Sequence, residues 1–347
     1  MAMTCYIVSY NGIANAGGVE RVCYYLNEIF REKNYNVVII DSVFVMKSKP
    51  GKIYNAIFGK IHALAFPIMS SLLLRNIKGD VITVSHGFNC PFIASDLLFI
   101  HGTMKGHDIA VNQKETFANK IMHYFEKKAV KNAKKIISVS AKAIEEVKEY
   151  YHSVDDKKFH VLNNTVDDKI FYPRNRIKKV KKTILFCGRL GFGKGLNELL
   201  YIANLLEGQN QFELIIATNN SNNSNLFDKY TNVIVKVGLQ INELNDFYNL
   251  GDILFMPSLY EGFEMITLEA LCSGIPVLGN NVGAISELIS RNEPGVILYE
   301  KKYDFFKQIF EIINNYENEG ERLHSYYSQN YGIASYKIKL QKVINSI

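Results

Sequence analysis

The run Ile253-Leu254-Phe255-Met256-Pro257, continued by Tyr260-Glu261-Gly262-Phe263-Glu264-Met265-Ile266-Thr267-Leu268-Glu269-Ala270, decides how this chain folds. Four apolar residues stopped by a proline read as a buried strand, and the chain then turns at Gly262 and enters a helix near Met265. A strand–turn–helix passage of this kind aims backbone N–H groups and the positive end of a helix dipole at one spot. Glu261 and Glu269 flank that spot, and each carboxylate can accept two hydroxyl hydrogen bonds. A diphosphate carrying a sugar at one end and a ribose at the other has the matching shape. Taken alone, two glutamates at this spacing fit a solvated amphipathic helix better, so the rest of the chain must decide.

Working outward, short β-branched runs alternate with helical segments. Strands are expected at Cys5–Ser9, Val37–Ile40, Val81–Val84, Leu97–His101, Ile136–Val139 and His160–Leu162 in the first half. In the second half they fall at Thr183–Cys187, Phe212–Ala217, Val233–Lys236, Ile253–Met256, Pro276–Leu278 and Gly295–Leu298. Helices are clearest at Gly18–Lys33, Lys114–Asn132, Leu196–Glu207, Ile241–Leu250 and Ile266–Ser273. Near-continuous apolar strands alternating with helices imply parallel sheets covered on both faces. The fold class is therefore α/β, with two Rossmann-like, doubly wound domains. They are expected over 1–167 and 183–334, joined by a basic, solvated linker at 168–182. Tyr336, Leu340, Val343, Ile344 and Ile347 share one helical face, so a helix over 335–347 is expected to pack, crossing back to the first domain.

The chain has 347 residues, 48% hydrophobic and 21% charged, enough for two cores. No apolar stretch is long enough to cross a membrane as a helix. The N-terminus reads directly as a strand, without the basic start of a signal peptide. Five cysteines, odd in number and without C-x-x-C spacing, argue against disulfides and a zinc site and for a cytoplasmic setting. The net charge of +6 is uneven, with +7 in residues 1–166 and −1 in 167–347. Ser42 to Gly79 has no acidic residue, and Lys120 to Lys135 holds six lysines against Glu126 alone. An anionic partner follows: a phosphorylated substrate, a membrane surface or a nucleic acid. Nucleic acid is disfavoured, because no aromatic-interleaved basic groove or helix-turn-helix pattern is present.

Two glycine-rich turns carry the remaining chemistry. Gly17-Gly18-Val19-Glu20-Arg21 follows the first strand and opens the first helix, where glycines let a phosphate approach the backbone. Gly188-Arg189-Leu190-Gly191-Phe192-Gly193-Lys194-Gly195 follows a strand in the second half. There Arg189 offers a bidentate fork and Lys194 a mobile point charge to the same anion.

In order and spacing these motifs resemble the GT-B-fold retaining glycosyltransferases of family 4. Thr183–Gly195 is similar to the family's "strand, G-R, several residues, K-G" signature and Glu261–Glu269 to its E-x7-E signature. Further matches are Val237-Gly238, Tyr248–Asp252, Pro257-Ser258, Ser138–Ser140, Asn163–Asp167 and Phe171–Pro173. The resemblance implies two domains facing a central cleft. It assigns Arg189 and Lys194, beside Gly188, to the donor diphosphate, Glu269 to the ribose and Glu261 to the transferred sugar. Backbone N–H groups around Gly262, Phe263, Met265 and Ile266 would meet sugar and phosphate, and Gly17-Gly18 would close over the diphosphate. His101, at a strand end, occupies the place of a family histidine that reaches the sugar. Glu264 departs from the family's usual glycine and is expected to bond a sugar hydroxyl or crowd the pocket. Glu261, His101, Arg189 and Lys194 are the catalytic candidates. No D-x-D run is present, so no metal and no further cofactor are expected, and the cations with the helix dipoles would neutralise the leaving group.

Lys120–Lys135 is amphipathic, with Ile121, Met122, Phe125 and Ala129 on one arc. Lys120, Lys127, Lys128, Lys131, Lys134 and Lys135 lie on the other, positioned for an anionic membrane or a charged acceptor. The expected activity is transfer of a hexose from a nucleoside-diphosphate sugar, UDP favoured, to a lipid-linked glycan or lipopolysaccharide intermediate. It would take place on the cytoplasmic face of the membrane. A GT-B-fold sugar-nucleotide epimerase and a non-catalytic sugar-nucleotide-binding protein are the alternatives.

Overall fold

The computed structural model describes residues 3–13, 17–59, 62–77, 79–152, 154–174 and 180–345. The chain divides into two compact units, Met1–Asn163 with Lys337–Ile347, and Asn164–Tyr336.

The first unit holds a six-stranded parallel sheet of β1 (Thr4–Val8), β2 (Asn36–Ile40), β3 (Val81–His86), β4 (Leu97–Ile100), β5 (Lys135–Ser138) and β6 (Phe159–Val161). Their order is β2-β1-β3-β4-β5-β6. The helices are α1 (Gly18–Glu32), α2 (Ser42–Lys47), α3 (Lys49–Phe58), α4 (Phe66–Arg75), α5 (Met104–Ala110), α6 (Phe117–Asn132) and α7 (Ala141–Tyr151). In the second unit β7 (Lys182–Cys187), β8 (Phe212–Thr218), β9 (Val233–Val237), β10 (Ile253–Met256), β11 (Val277–Gly279) and β12 (Val296–Leu298) run β12-β11-β10-β7-β8-β9, all parallel. Its helices are α8 (Leu196–Leu206), α9 (Ile241–Asn249), α10 (Met265–Cys272), α11 (Gly283–Ser290), α12 (Phe305–Tyr316) and α13 (Gly320–Tyr331). The last helix, α14 (Ile333–Ile344), starts in the second unit and ends in the first.

Both sheets are doubly wound because their strands are apolar on both faces: Leu97 to Ile100 and Ile253 to Met256 are buried without a break. The strand order reverses between β1 and β3 in the first unit and between β7 and β10 in the second. In open parallel sheets ligands bind outside the carboxyl ends of the strands at such a point. The loops after β7 and β10 are Gly188–Gly195 and Pro257–Glu264, the two segments that carry the sequence signatures.

The units divide between Asn163 and Asn164, earlier than the boundary expected after 167, because the following segment is tied into the second unit. Asn164 Nδ2 donates to Phe263 O (2.6 Å), Thr165 Oγ1 to Tyr331 O (2.8 Å) and Arg174 N to Asn249 Oδ1 (2.7 Å). Only residues 175–179 of the expected linker fall outside the described residues.

In the first unit a buried carboxylate locks three helices. Glu126 of α6 accepts from Met104 N of α5 (3.0 Å) and from the Tyr151 hydroxyl of α7. Burial pushes its pKa up to about 7, with Glu146 and Asp108 adding to the rise and the Tyr151 and Met104 donors opposing it. The folded state therefore keeps a proton that the unfolded chain loses above its ordinary value of 4.5. Stability from this group is complete below that value and is lost as pH rises toward 7. Glu126→Gln, which mimics the protonated form, should flatten this dependence. Urea denaturation at acidic and neutral pH should show the parent losing roughly 2–3 kcal/mol more than the variant.

Candidate active site

Helix starts differ across the molecule. Asp41, Ser48, Thr103, Thr116, Ser140 and Asp304 each cap a helix with a side-chain oxygen. The helices that follow β1, β7, β10 and β11 begin at Gly17, Gly195, Glu264 and Val282, none of which makes a side-chain cap. In α11 the Ala284 N–H is taken by Glu264 and in α8 the Leu196 N–H by Gly191 O, while the dipole at each of these starts still favours negative charge.

In the second unit the two signature loops are bound to each other. Leu259 N donates to Gly193 O (2.9 Å), and Asn280 Nδ2 braces the second loop through Pro257 O (3.0 Å) and Ser258 O (3.1 Å). Gly195 has φ +79° and lies directly against the Pro257 carbonyl, so a side chain there would collide with backbone as well as force a left-handed conformation. Across this junction Lys194 Nζ forms an ion pair with Glu261 Oε1, both side chains being only partly exposed. Arg189, beside Gly188 (φ +155°), is exposed. Lys194 and Glu261 are thus brought together by the fold, with Arg189 on the same loop as Lys194.

Glu264 and Glu269 go elsewhere. Glu264 is buried: Oε1 accepts from Thr267 Oγ1 (2.6 Å) and Oε2 from Ala284 N (2.9 Å), the first turn of α11. It fills the space that Gly283 leaves open, since a Cβ there would meet both Glu264 Oε2 and Glu261 Cβ. The expectation that Glu264 points at a sugar is corrected here, because both of its oxygens serve α10 and α11. Burial raises its pKa, and the Glu261 charge raises it further against the donors from Thr267 and Ala284. Glu269 has no exposed surface and accepts from Tyr248 Oη (2.9 Å). Phe263 is buried with its ring stacked on Tyr331, while Gly262 and Ile266 stay partly exposed and Met265 is buried.

A cavity of about 350 Å³ opens beside the same loops, lined by Phe192, Glu198, Asn280, Tyr299 and Lys301 among others. Its one cation, Lys301, is paired to Glu198 (2.8 Å), which also accepts from Tyr299 Oη (2.7 Å). Lys301 and Lys194 are thus each paired to a glutamate, while Arg189 is exposed.

In the first unit Gly17 and Gly18 open α1, in extended backbone at Gly17. A side chain at Gly17 would meet Glu20, whose carboxylate accepts from Asn11 Nδ2 (2.7 Å); Gly18 faces open space. Ala14, Asn15 and Ala16 of this loop lie outside the described residues. His101 follows β4, and its Nε2 lies 2.9 Å from Nδ1 of His86, the last residue of β3. The two rings stack at 15°. His86 in turn places Nε2 3.3 Å from Cys23 Sγ on α1. Burial pushes the Cys23 thiol up to about 12, so it stays protonated. In the tautomer in which Cys23 S–H donates, His86 carries its proton on Nδ1 and donates to His101 Nε2, and His101 keeps its own proton on Nδ1. Loss of solvent holds the His101 pKa down to about 4. The sequence reading missed His86; the signal was the repeated strand-end His-Gly pair, His86-Gly87 and His101-Gly102, on neighbouring strands.

Along Lys120–Lys135 most of the lysines lie on the arc away from the core, several with partners of their own. Phe125 and Ala129 are buried, Ile121 and Met122 partly so, and Lys127 and Lys131 are exposed. Lys134 is paired to Asp96 (2.7 Å) and Lys120 to Glu115 (3.5 Å), while Lys128 lies over the Tyr124 ring and Lys135 is half-buried. Phe125 and Ala129 are spent on the core, while Phe117 and Tyr124 of the same helix stay exposed. Among the described residues no group of three His, Cys, Asp or Glu is placed to hold a metal ion.

Two sequence families match this chain, Glycosyltransferase Family 4 over residues 16–169 and Glycosyl transferases group 1 over 167–330. An uncharacterized glycosyltransferase of Methanocaldococcus jannaschii is 26% identical over 238 residues, 64% of this chain and 59% of that protein. The chain thus spans less than two thirds of the length of this curated relative. Among solved structures, WaaG, a glycosyltransferase involved in lipopolysaccharide biosynthesis, superposes with a TM-score of 0.70 at 16% identity over 98% of both chains. Anabaena HepE in complex with UDP-glucose gives 0.64 at 13% identity, over 99% of this chain and 100% of that one.

Two measurements check this geometry. NMR titration of the His101 ring should give a midpoint near 4, with no ionisation near 6.5. Glu264→Ala removes the acceptor for Ala284 and Thr267 and should lower stability by about 1–3 kcal/mol in urea.

Proposed function

Because the chain belongs to the group 1 glycosyltransferases of the GT-B fold, we propose that it transfers a hexose from UDP-hexose to a lipid-linked glycan or lipopolysaccharide intermediate, with retention of anomeric configuration. The observation that carries this reading is the ion pair of Lys194 and Glu261 over two helix starts without side-chain caps. In the resting protein the pair neutralises itself. A donor would separate it, its diphosphate taking Lys194 and Arg189 and the sugar hydroxyls taking Glu261. The N–H groups at the start of α10 add a dipole that favours negative charge.

As the bond from the anomeric carbon to the diphosphate oxygen breaks, negative charge grows on the leaving UDP. Arg189 and Lys194 are assigned to stabilise it, and no step is assigned to a divalent metal. The acceptor hydroxyl then forms its bond to the same carbon from the face of departure, and its proton passes to the departing phosphate oxygen. His101 is assigned to a hydroxyl of the transferred sugar through its neutral Nδ1–H. Glu269 is assigned to the ribose, which requires the side chains that now cover it to move aside. UDP is favoured over other nucleotides by the likeness to the UDP-glucose complex of HepE, and a lipid-borne acceptor by the likeness to WaaG.

Thermal-shift screening against nucleoside-diphosphate hexoses should single out a UDP-sugar. Arg189→Ala should weaken its binding about 10-fold or more, as expected for loss of a charge-assisted contact to phosphate. Turnover should persist within about two-fold in excess EDTA, since no step is assigned to a metal. Loss of turnover on chelation, or binding indifferent to Arg189, contradicts the reading.

A further inference from the structure

The acid-free stretch from Ser42 to Gly79 folds into α2, α3 and α4, and these helices are apolar on two sides. Inward, Val45, Phe66, Met69 and Leu74 pack with Val8, Ile40 and Cys90 in the core of the first unit. Outward, α3 leaves Ile53 at 67%, Ile57 at 69% and Phe58 at 54% exposure. Val43 and Phe44 of α2, which packs on α3, are exposed as well. Ile53 and Ile57 stand one helical turn apart, and the Phe58 ring lies 4.5 Å from that of Tyr54, its own i−4 neighbour, so the apolar residues form a continuous ridge. Scattered single apolar residues on a surface are ordinary; a ridge of this kind is not.

Lys47, Lys49 and Lys52 lie along the same two helices and are exposed, and among the described residues none of them forms an ion pair. Lys134 and Lys120, near the ends of α6, are in contrast paired with Asp96 and Glu115.

We propose that the α2–α3 face docks on an anionic lipid surface, Ile53, Ile57 and Phe58 entering the apolar layer while Lys47, Lys49 and Lys52 meet the phosphate headgroups. An apolar edge flanked by lysines on a helix is the pattern of interfacial binding. Protein–protein interfaces, in contrast, are depleted in lysine, which disfavours a second protein as the occupant. The purpose of such docking rests on the lipid-borne acceptor proposed above; the docking itself does not.

Co-sedimentation of the full chain with phosphatidylcholine vesicles, with and without phosphatidylglycerol, tests the proposal. Binding is expected only with the anionic lipid. Each exposed lysine near such a surface contributes roughly a five-fold gain, so joint replacement of Lys47, Lys49 and Lys52 by Gln should weaken partitioning about 100-fold. Joint replacement of Ile53, Ile57 and Phe58 by Ser should abolish it, whereas Lys127→Gln with Lys131→Gln on α6 should have a markedly smaller effect. A UDP-glucose thermal shift measured on the same variants should be unchanged, which separates failure of docking from failure of the transferase reading. The proposal is overturned if the parent ignores anionic vesicles or if the α3 variants bind like the parent. It is equally overturned if the serine variant only dissolves a dimer.

Discussion

The pairing of Lys194 with Glu261 is the constraint on which the second unit's functional edge depends. Two acidic groups, Glu261 and Glu264, and the cation Lys194 converge where β7 and β10 end, at the reversal of strand order. Without Lys194, Glu261 would face Glu264 with nothing to offset like charge, and the start of α10 would carry two crowded carboxylates. The chain resolves this by division of labour. Glu264 turns inward, where burial favours its proton and where Thr267 and Ala284 supply donors. Glu261 turns outward to the lysine. Gly283 makes the division possible, since any Cβ at that position would occupy the space of both side chains.

The first unit solves a similar problem with neutral groups. Two histidines at adjacent strand ends would repel if both were charged, and burial keeps each of them unprotonated. Cys23, His86 and His101 form one hydrogen-bonded chain, and in the tautomer in which Cys23 donates, the proton of the last ring sits on Nδ1. A neutral ring suits contact with a sugar hydroxyl at neutral pH. Both units thus place polar groups at the carboxyl ends of their strands, and α1, α8 and α10 start there without a side-chain cap.

The twelve strands among the described residues were legible in the sequence. The central ones, such as Leu97–Ile100 and Ile253–Met256, are buried without a break and so apolar throughout. The edge strands β6, β9 and β12 were marked by their short β-branched or aromatic runs between turn residues. Boundaries shifted by a residue or two, as with β11, where Pro276 lacks the N–H that a ladder needs. The helices α2 to α4 were not legible as helices: apolar residues on two faces blur the period, and only the structure shows which face reaches the core. Within the site, Lys194 and Glu261 could be matched because their loops leave neighbouring parallel strands. The direction of Glu264 could not be read, since it is set by Gly283, nineteen positions further along. The burial of Glu269 beneath Tyr248 belongs to the same class of unread tertiary contact, as does the partner of His101.

If Lys194 is held by Glu261 at rest and released to a diphosphate, removing the glutamate's charge should have opposite consequences for nucleotide and nucleotide sugar. Calorimetric titration of Glu261→Gln with UDP and with UDP-glucose reads this directly. The account predicts that UDP binds as tightly as to the parent or more tightly, while the extra affinity contributed by the glucose is lost. Equal weakening toward both ligands would contradict it, because Glu261 would then be supporting the nucleotide pocket instead of competing with the diphosphate for Lys194.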